Sequence, residues 1–116
     1  MVGRLSTSAW RVLTAVLAIG ISSLNPPPAD AATPDPARIV VKDFMFKPAS
    51  VSIKAGTTVI WTNEDDEPHT VRIESRLFAS GALDTNESFS FRFDKPGTYV
   101  FYCSIHPRMT GTVVVE

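Results

Sequence analysis

The chain is poor in the residues that small exported domains usually rely on. Among 116 residues there is one cysteine, Cys103, and there are two histidines, His69 and His106. A single thiol excludes any disulfide within the chain. A basic excess is missing too. Eleven Lys and Arg stand against twelve Asp and Glu, for a formal net charge of -1. Such a balance offers no cationic surface to nucleic acid or anionic lipid. The apolar run from Val12 to Leu24 is thirteen residues long, short of the roughly 20 that a membrane-crossing helix needs. No sustained helical period, internal repeat or low-complexity segment follows it. The length allows one domain.

The N-terminal run has a different use. Arg4 and Arg11 precede or open it with no acidic residue between them, Pro26, Pro27 and Pro28 stop it, and Ala29-Asp30-Ala31 offers a small-x-small cleavage pattern. Residues 1–31 therefore read as a secretory signal peptide, a retained membrane anchor being the alternative. Removing it takes away Arg4, Arg11 and Asp30, leaving nine basic and eleven acidic residues. Residues 32–37 form a short Pro-containing lead-in, and 38–116 form the domain. Exported domains of this size are commonly stapled. A lone thiol in an oxidising compartment can pair with another chain, lie buried and inert, or bind a metal as thiolate.

The rest of the chain alternates between strands and turns. Arg38 to Phe44 is β-rich, and Val51 to Lys54 alternates apolar and polar residues after the break at Pro48. Ala55-Gly56 is a turn before the β-rich run Thr57 to Thr62. Asn63 to Pro68 is a polar loop, His69 to Ile73 resumes the strand pattern, and Arg76 to Glu87 is irregular. Phe89, Phe91 and Phe93 alternate with Ser88, Ser90 and Arg92, which puts three rings on one strand face. After the Lys95-Pro96-Gly97 turn, Tyr99, Phe101 and Cys103 share a face, and Thr112 to Val115 is a last strand. Seven or eight short strands with Gly and Pro turns predict an all-β, two-sheet sandwich.

Chemistry concentrates near the end. Cys103, His106 and Met109 stand at C-x2-H-x2-M spacing in a seven-residue segment, short enough to set a thiolate, an imidazole and a thioether around one point. His69, 34 positions before Cys103, begins a strand that can lie beside the Cys103 strand and supply a fourth ligand. Taken singly, His69 reads as an ordinary loop histidine, Met109 as core filler and Cys103 as a small buried hydrophobe. Their joint occurrence in a chain with one Cys and two His points to a metal. Two imidazoles and a thiolate with a weak thioether form the donor set of electron-transfer copper, whereas zinc gains little from a thioether. Copper binding also accounts for the unpaired thiol, which would be held as thiolate.

The segment Pro96-Gly97-Thr98-Tyr99-Val100-Phe101-Tyr102-Cys103-Ser104-Ile105-His106-Pro107-Arg108-Met109, continuing to Val115, resembles the C-terminal end of cupredoxins. It is most similar to the amicyanin type, which shares the short Cys-His-Met spacing, while plastocyanins and pseudoazurins have longer loops before the Met. Trp61-Thr62-Asn63 and Pro68-His69-Thr70-Val71 extend the resemblance over nearly all of the mature chain. It implies a Greek-key sandwich with one type 1 copper ion, Cu(I)/Cu(II), at His69, Cys103, His106 and Met109. It further implies a monomeric, periplasmic or otherwise exported carrier of single electrons between redox proteins, such as a c-type cytochrome or a dehydrogenase. His106 would reach the surface, rimmed by Ile105, Pro107 and Arg108, with His69 and Cys103 deeper.

Two positions depart from that pattern. Thr70 stands where amicyanin and plastocyanin have an Asn, leaving a hydroxyl to bond across to Ser104. Arg108 replaces an aromatic residue, so an amicyanin's own dehydrogenase partner does not carry over. The acidic run Glu64-Asp65-Asp66-Glu67 reads as a solvated loop, with a docking patch for a cationic partner as the functional alternative. The competing function is copper storage or delivery, which favours Met-rich exposed sites; the mature chain has only Met45 and Met109. A copper enzyme would need further histidines for a second centre, so the chain is not expected to be an enzyme.

Overall fold

Side-chain alternation decides which residues face inward. A computed structural model of the chain describes residues 33–116 and, before them, only Gly3, Ala15, Val16 and residues 18–20. The expected signal at 1–31 lies almost wholly outside the described residues. Eight strands follow: β1 (Ala37–Lys42), β2 (Met45–Lys47), β3 (Ser50–Ile53), β4 (Thr57–Asn63), β5 (Arg72–Ile73), β6 (Ser88–Phe93), β7 (Gly97–Tyr102) and β8 (Thr110–Val115). They form two four-stranded sheets, ordered β2-β1-β4-β6 and β3-β8-β7-β5. The expected all-β sandwich is the observed architecture.

Both sheets are mixed. β1 runs parallel to β4, with Ile39 opposite Trp61, and β3 runs parallel to β8, with Val51 opposite Val113. Neither parallel pair can be joined by a tight hairpin, and the chain crosses between sheets to make both. β4 shows the cleanest pattern: Thr57, Val59, Trp61 and Asn63 are buried while the residues between them are half-exposed. Trp61 is fully buried and lies 5.4 to 6.4 Å, centroid to centroid, from the rings of Phe78, Phe89, Phe93 and Phe101. Its indole Nε1 is buried with no hydrogen-bond partner. That omission costs about 1–3 kcal/mol, offset by packing of the large ring surface. Gly111 lets β8 pass over Phe101, because a Cβ there would press into the ring and come within 2.8 Å of the Ala49 carbonyl.

Two expected boundaries shift. The first strand ends at Lys42 rather than at Phe44, because Asp43 and Phe44 form the two-residue turn between the paired Lys42 and Met45. Both have positive φ, 53° and 56°, as the turn that matches strand twist requires. The conformation costs a non-glycine residue about 1–2 kcal/mol, and neither residue is a glycine. The second shift is at His69. It forms an isolated bridge with Leu83, and the strand itself covers only Arg72 and Ile73.

Candidate metal centre

The site lies where three segments end together: the β4–β5 loop, the β7–β8 loop and the β1–β2 turn. Antiparallel pairing of β5 with β7 sets Arg72 opposite Tyr102, which carries His69 and Thr70 alongside Cys103. His69 is pinned by two backbone bonds with Leu83, His69 N–H to Leu83 O at 3.1 Å and Leu83 N–H to His69 O at 2.7 Å. The β7–β8 loop is closed by the Cys103 N–H donating to Met109 O (3.1 Å) and the Met109 N–H to His106 O (2.8 Å).

One donor atom from each of His69, Cys103 and His106 falls within 4.8 Å of the others. Both ring atoms facing the thiol are Nδ1, each 3.8 Å from Cys103 Sγ. Metal–thiolate and metal–imidazole bonds of about 2.3 and 2.0 Å spanning a trigonal angle would separate sulfur and nitrogen by about 3.7 Å. A tetrahedral angle would bring them to about 3.5 Å on the same bond lengths. The three donors are thus spaced so that one ion could be held by the two imidazole nitrogens and the sulfur together. Met109 is buried and lines the hollow shared with Phe44, Ile105, His106, Pro107 and Arg108. His69 and Cys103 are fully buried, and only His106 is part-exposed.

Burial alone would raise the Cys103 thiol. The donors aimed at Sγ outweigh it and bring the group down to about 6. The Thr70 N–H, 3.4 Å from Sγ, leads the groups that lower it, followed by the polar contacts with the two imidazole rings and by the Ile105 N–H. Thr70 also ties the two ligand segments together. Its hydroxyl accepts from the Ser104 N–H at 2.8 Å and pairs with the Ser104 hydroxyl at 2.8 Å. The bridge expected of this threonine is therefore present. Arg108 is exposed beside Ile105 and Pro107.

Three residues that sequence reasoning passed over complete the site. Asp65 is only 6% exposed, which corrects its reading as part of a solvated acidic run; Glu64, Asp66 and Glu67 are the solvated members. Its carboxylate accepts from His69 Nε2 (2.8 Å) and from the backbone N–H groups of Asp43 (2.7 Å) and Phe44 (3.0 Å). Burial opposes the charge, but these two N–H groups and the imidazole hold the carboxyl below its ordinary range. Because Nε2 donates to Asp65, Nδ1 is left free to face Sγ. Asn63 is fully buried: its Nδ2 donates to Glu67 O and Leu83 O (both 2.8 Å), and its Oδ1 accepts from the Asp65 N–H (2.9 Å). Phe44 stands nearly perpendicular to both histidine rings, 5.3 Å from His69 and 5.0 Å from His106. The Asn63-x-Asp65 spacing is an Asx-turn signal that could have marked the first two; nothing in the sequence marks Phe44.

The family model for the cupredoxin-like domain matches residues 12–115. Amicyanin-alpha of Methylorubrum extorquens is 35% identical over 109 residues, covering 89% of this chain and 87% of the relative. Plastocyanin of Scenedesmus fuscus is 38% identical over 86 residues, 63% of this chain and 88% of the relative. Among solved structures, a purple cupredoxin from Nitrosopumilus maritimus superposes with a TM-score of 0.65 at 33% identity, covering 69% of this chain and 99% of that one.

Proposed function

This chain belongs to the cupredoxin family, and on that premise we propose that it carries single electrons between redox proteins with one type 1 copper ion held by His69, Cys103, His106 and Met109. The observation that carries the reading is the pair of 3.8 Å separations between Cys103 Sγ and the two Nδ1 atoms. When bound, copper supplies one-electron redox chemistry through Cu(I) and Cu(II).

The chain's own residues do the rest. Cys103, already biased to thiolate, needs no base to prepare it as a ligand. Asp65 fixes the ring plane and tautomer of His69, and Thr70 locks Ser104, so neither segment must be ordered when the oxidation state changes. Buried donors also keep water and small oxidants from the metal position. His106 alone offers an edge to a partner, and Ile105, 49% exposed, with Pro107 and Arg108 surrounds it. Three buried donors out of four argue against a protein that hands its ion over. Both histidines of the chain are used at one point, which leaves none for a second, catalytic copper centre and supports the carrier reading. The export reading rests on the leader-like residues 1–31, with 32–37 as lead-in and 38–116 as the mature domain. Among the described residues no helix is long and apolar enough to cross a membrane.

Copper loading tests the proposal. The loaded protein should show an intense thiolate-to-Cu(II) absorption band and reversible one-electron voltammetry, and Cys103→Ser should abolish the band while the metal-free fold persists. A colourless Cu(II) complex, or irreversible reduction, would sink it.

A further inference from the structure

We infer that Asp65 is the positioning residue for Phe44, and that the Phe44 ring is a wedge that sets the orientation of His106. This rests on the copper reading for its redox consequence, but the geometry stands without it. One carboxylate holds two separate parts of the site. Its Oδ2 accepts both from His69 Nε2 and from the Phe44 N–H, and its Oδ1 accepts from the Asp43 N–H. The backbone that carries this carboxylate is itself fixed: the Asp65 N–H donates to Asn63 Oδ1 and the Thr85 hydroxyl donates to the Asp65 main-chain O at 2.6 Å. The turn cannot move without pulling on the atom that orients His69.

What the turn presents is an aromatic ring where glycine would be easier. Phe44 has a φ of 56° and is 47% exposed. A large apolar side chain in a left-handed, half-exposed position gains neither backbone ease nor full burial. The return is contact. The ring stands at 82° to His69 and 84° to His106, and the two imidazoles are themselves 5.1 Å apart. It also lines the same hollow as Ile105, Arg108 and Met109. The β7–β8 loop holds His106 by its backbone through Met109, so Phe44 is the aromatic group that restrains the imidazole from the side of the β1–β2 turn. A partner reaching His106 would meet Phe44 as well.

The test uses NMR of the full chain, metal-free and Cu(I)-loaded, as wild type, Asp65→Asn and Phe44→Leu. An Asn side chain has one acceptor oxygen for three donors. Asp65→Asn should speed amide exchange at Asp43 and Phe44 by roughly tenfold or more, with β4 and β7 amides unchanged, and should erase the ring-current shifts that Phe44 imposes on the His106 ring protons. Phe44→Leu should keep the amide protection and lose those shifts. Both copper-loaded variants should move the reduction potential in one direction, and the double variant no further than Asp65→Asn alone. Unchanged exchange and shifts in Asp65→Asn, or additive potential changes, overturn the inference. Should Asp65→Asn fail to fold, Phe44→Gly decides: unaltered His106 shifts and line widths would refute the wedge. Loss of the charge-transfer band in the wild type would refute the copper reading instead, which the metal-free NMR result does not depend on.

Discussion

The two segments that meet at the site are held by different means. The inner one, Asn63 to Val71, is fastened by buried side chains: Asn63 makes three hydrogen bonds, Asp65 accepts three, and Thr70 spans to Ser104. The outer one, Cys103 to Met109, is closed by backbone bonds between Cys103 and Met109 and between His106 and Met109, and Ser104, Ile105, Pro107 and Arg108 are exposed. An ion that changes charge needs donors that do not rearrange, and a carrier needs an edge that partners can touch. The fold assigns the first duty to the inner segment and the second to the outer one.

Substitutions can break that contrast, and the largest effect belongs to Asn63. Asn63→Ala orphans the Asp65 N–H, removes the Asn63 donor from the Glu67 carbonyl and leaves the Leu83 carbonyl with only its His69 N–H partner, and should lower stability by about 2–4 kcal/mol in a denaturant melt of the metal-free protein. Ser104→Ala should cost about 1 kcal/mol in the same melt; equal losses would erase the distinction. Thr70→Val, which removes the bridge between segments, should fall between them at about 1–2 kcal/mol and also shift the reduction potential of the loaded protein.

A pH dependence of the metal-free protein sharpens the comparison further. Cys103 is brought from its usual range down to about 6 by donors of both segments. A depressed acid contributes stability that is fully present above its unfolded value, near 9, and lost as pH falls through about 6. Its share of stability should therefore decline as pH is lowered across that window, and Cys103→Ser should flatten the profile. A wild-type profile that matches the Ser variant would contradict the donor geometry. The smallest effect on stability belongs to Arg108→Ala, within about 0.5 kcal/mol of wild type, with its consequence seen instead in the salt dependence of partner association.

Much of this was legible in the sequence where chemistry and period coincide. The aromatic alternation of Phe89, Phe91 and Phe93 marked β6, and the spacing of Cys103, His106 and Met109 singled out the ligand loop. The Thr70 hydroxyl was recognisable as a bridge to Ser104 because it stands next to His69. What escaped notice depends on contacts across the fold. Asp65 sits in a run of four acidic residues, and charge patterning cannot separate the one that turns inward from three that stay in water. Phe44 extends a β-rich run, and only the left-handed backbone at Asp43 and Phe44 reveals the turn. Their shared link, two backbone amides on the carboxylate that holds His69, joins positions about 21 and 22 residues apart and leaves no local signal.

The protein, not the ion, holds the inner donors in place. High-resolution structures of the metal-free, Cu(I) and Cu(II) forms test this most directly. Cys103 Sγ and His69 Nδ1 should stay within a few tenths of an ångström of their 3.8 Å separation in all three, with the Asp65–His69 bond intact and any movement confined to His106. A His69 ring that leaves Asp65 when copper is removed would contradict it.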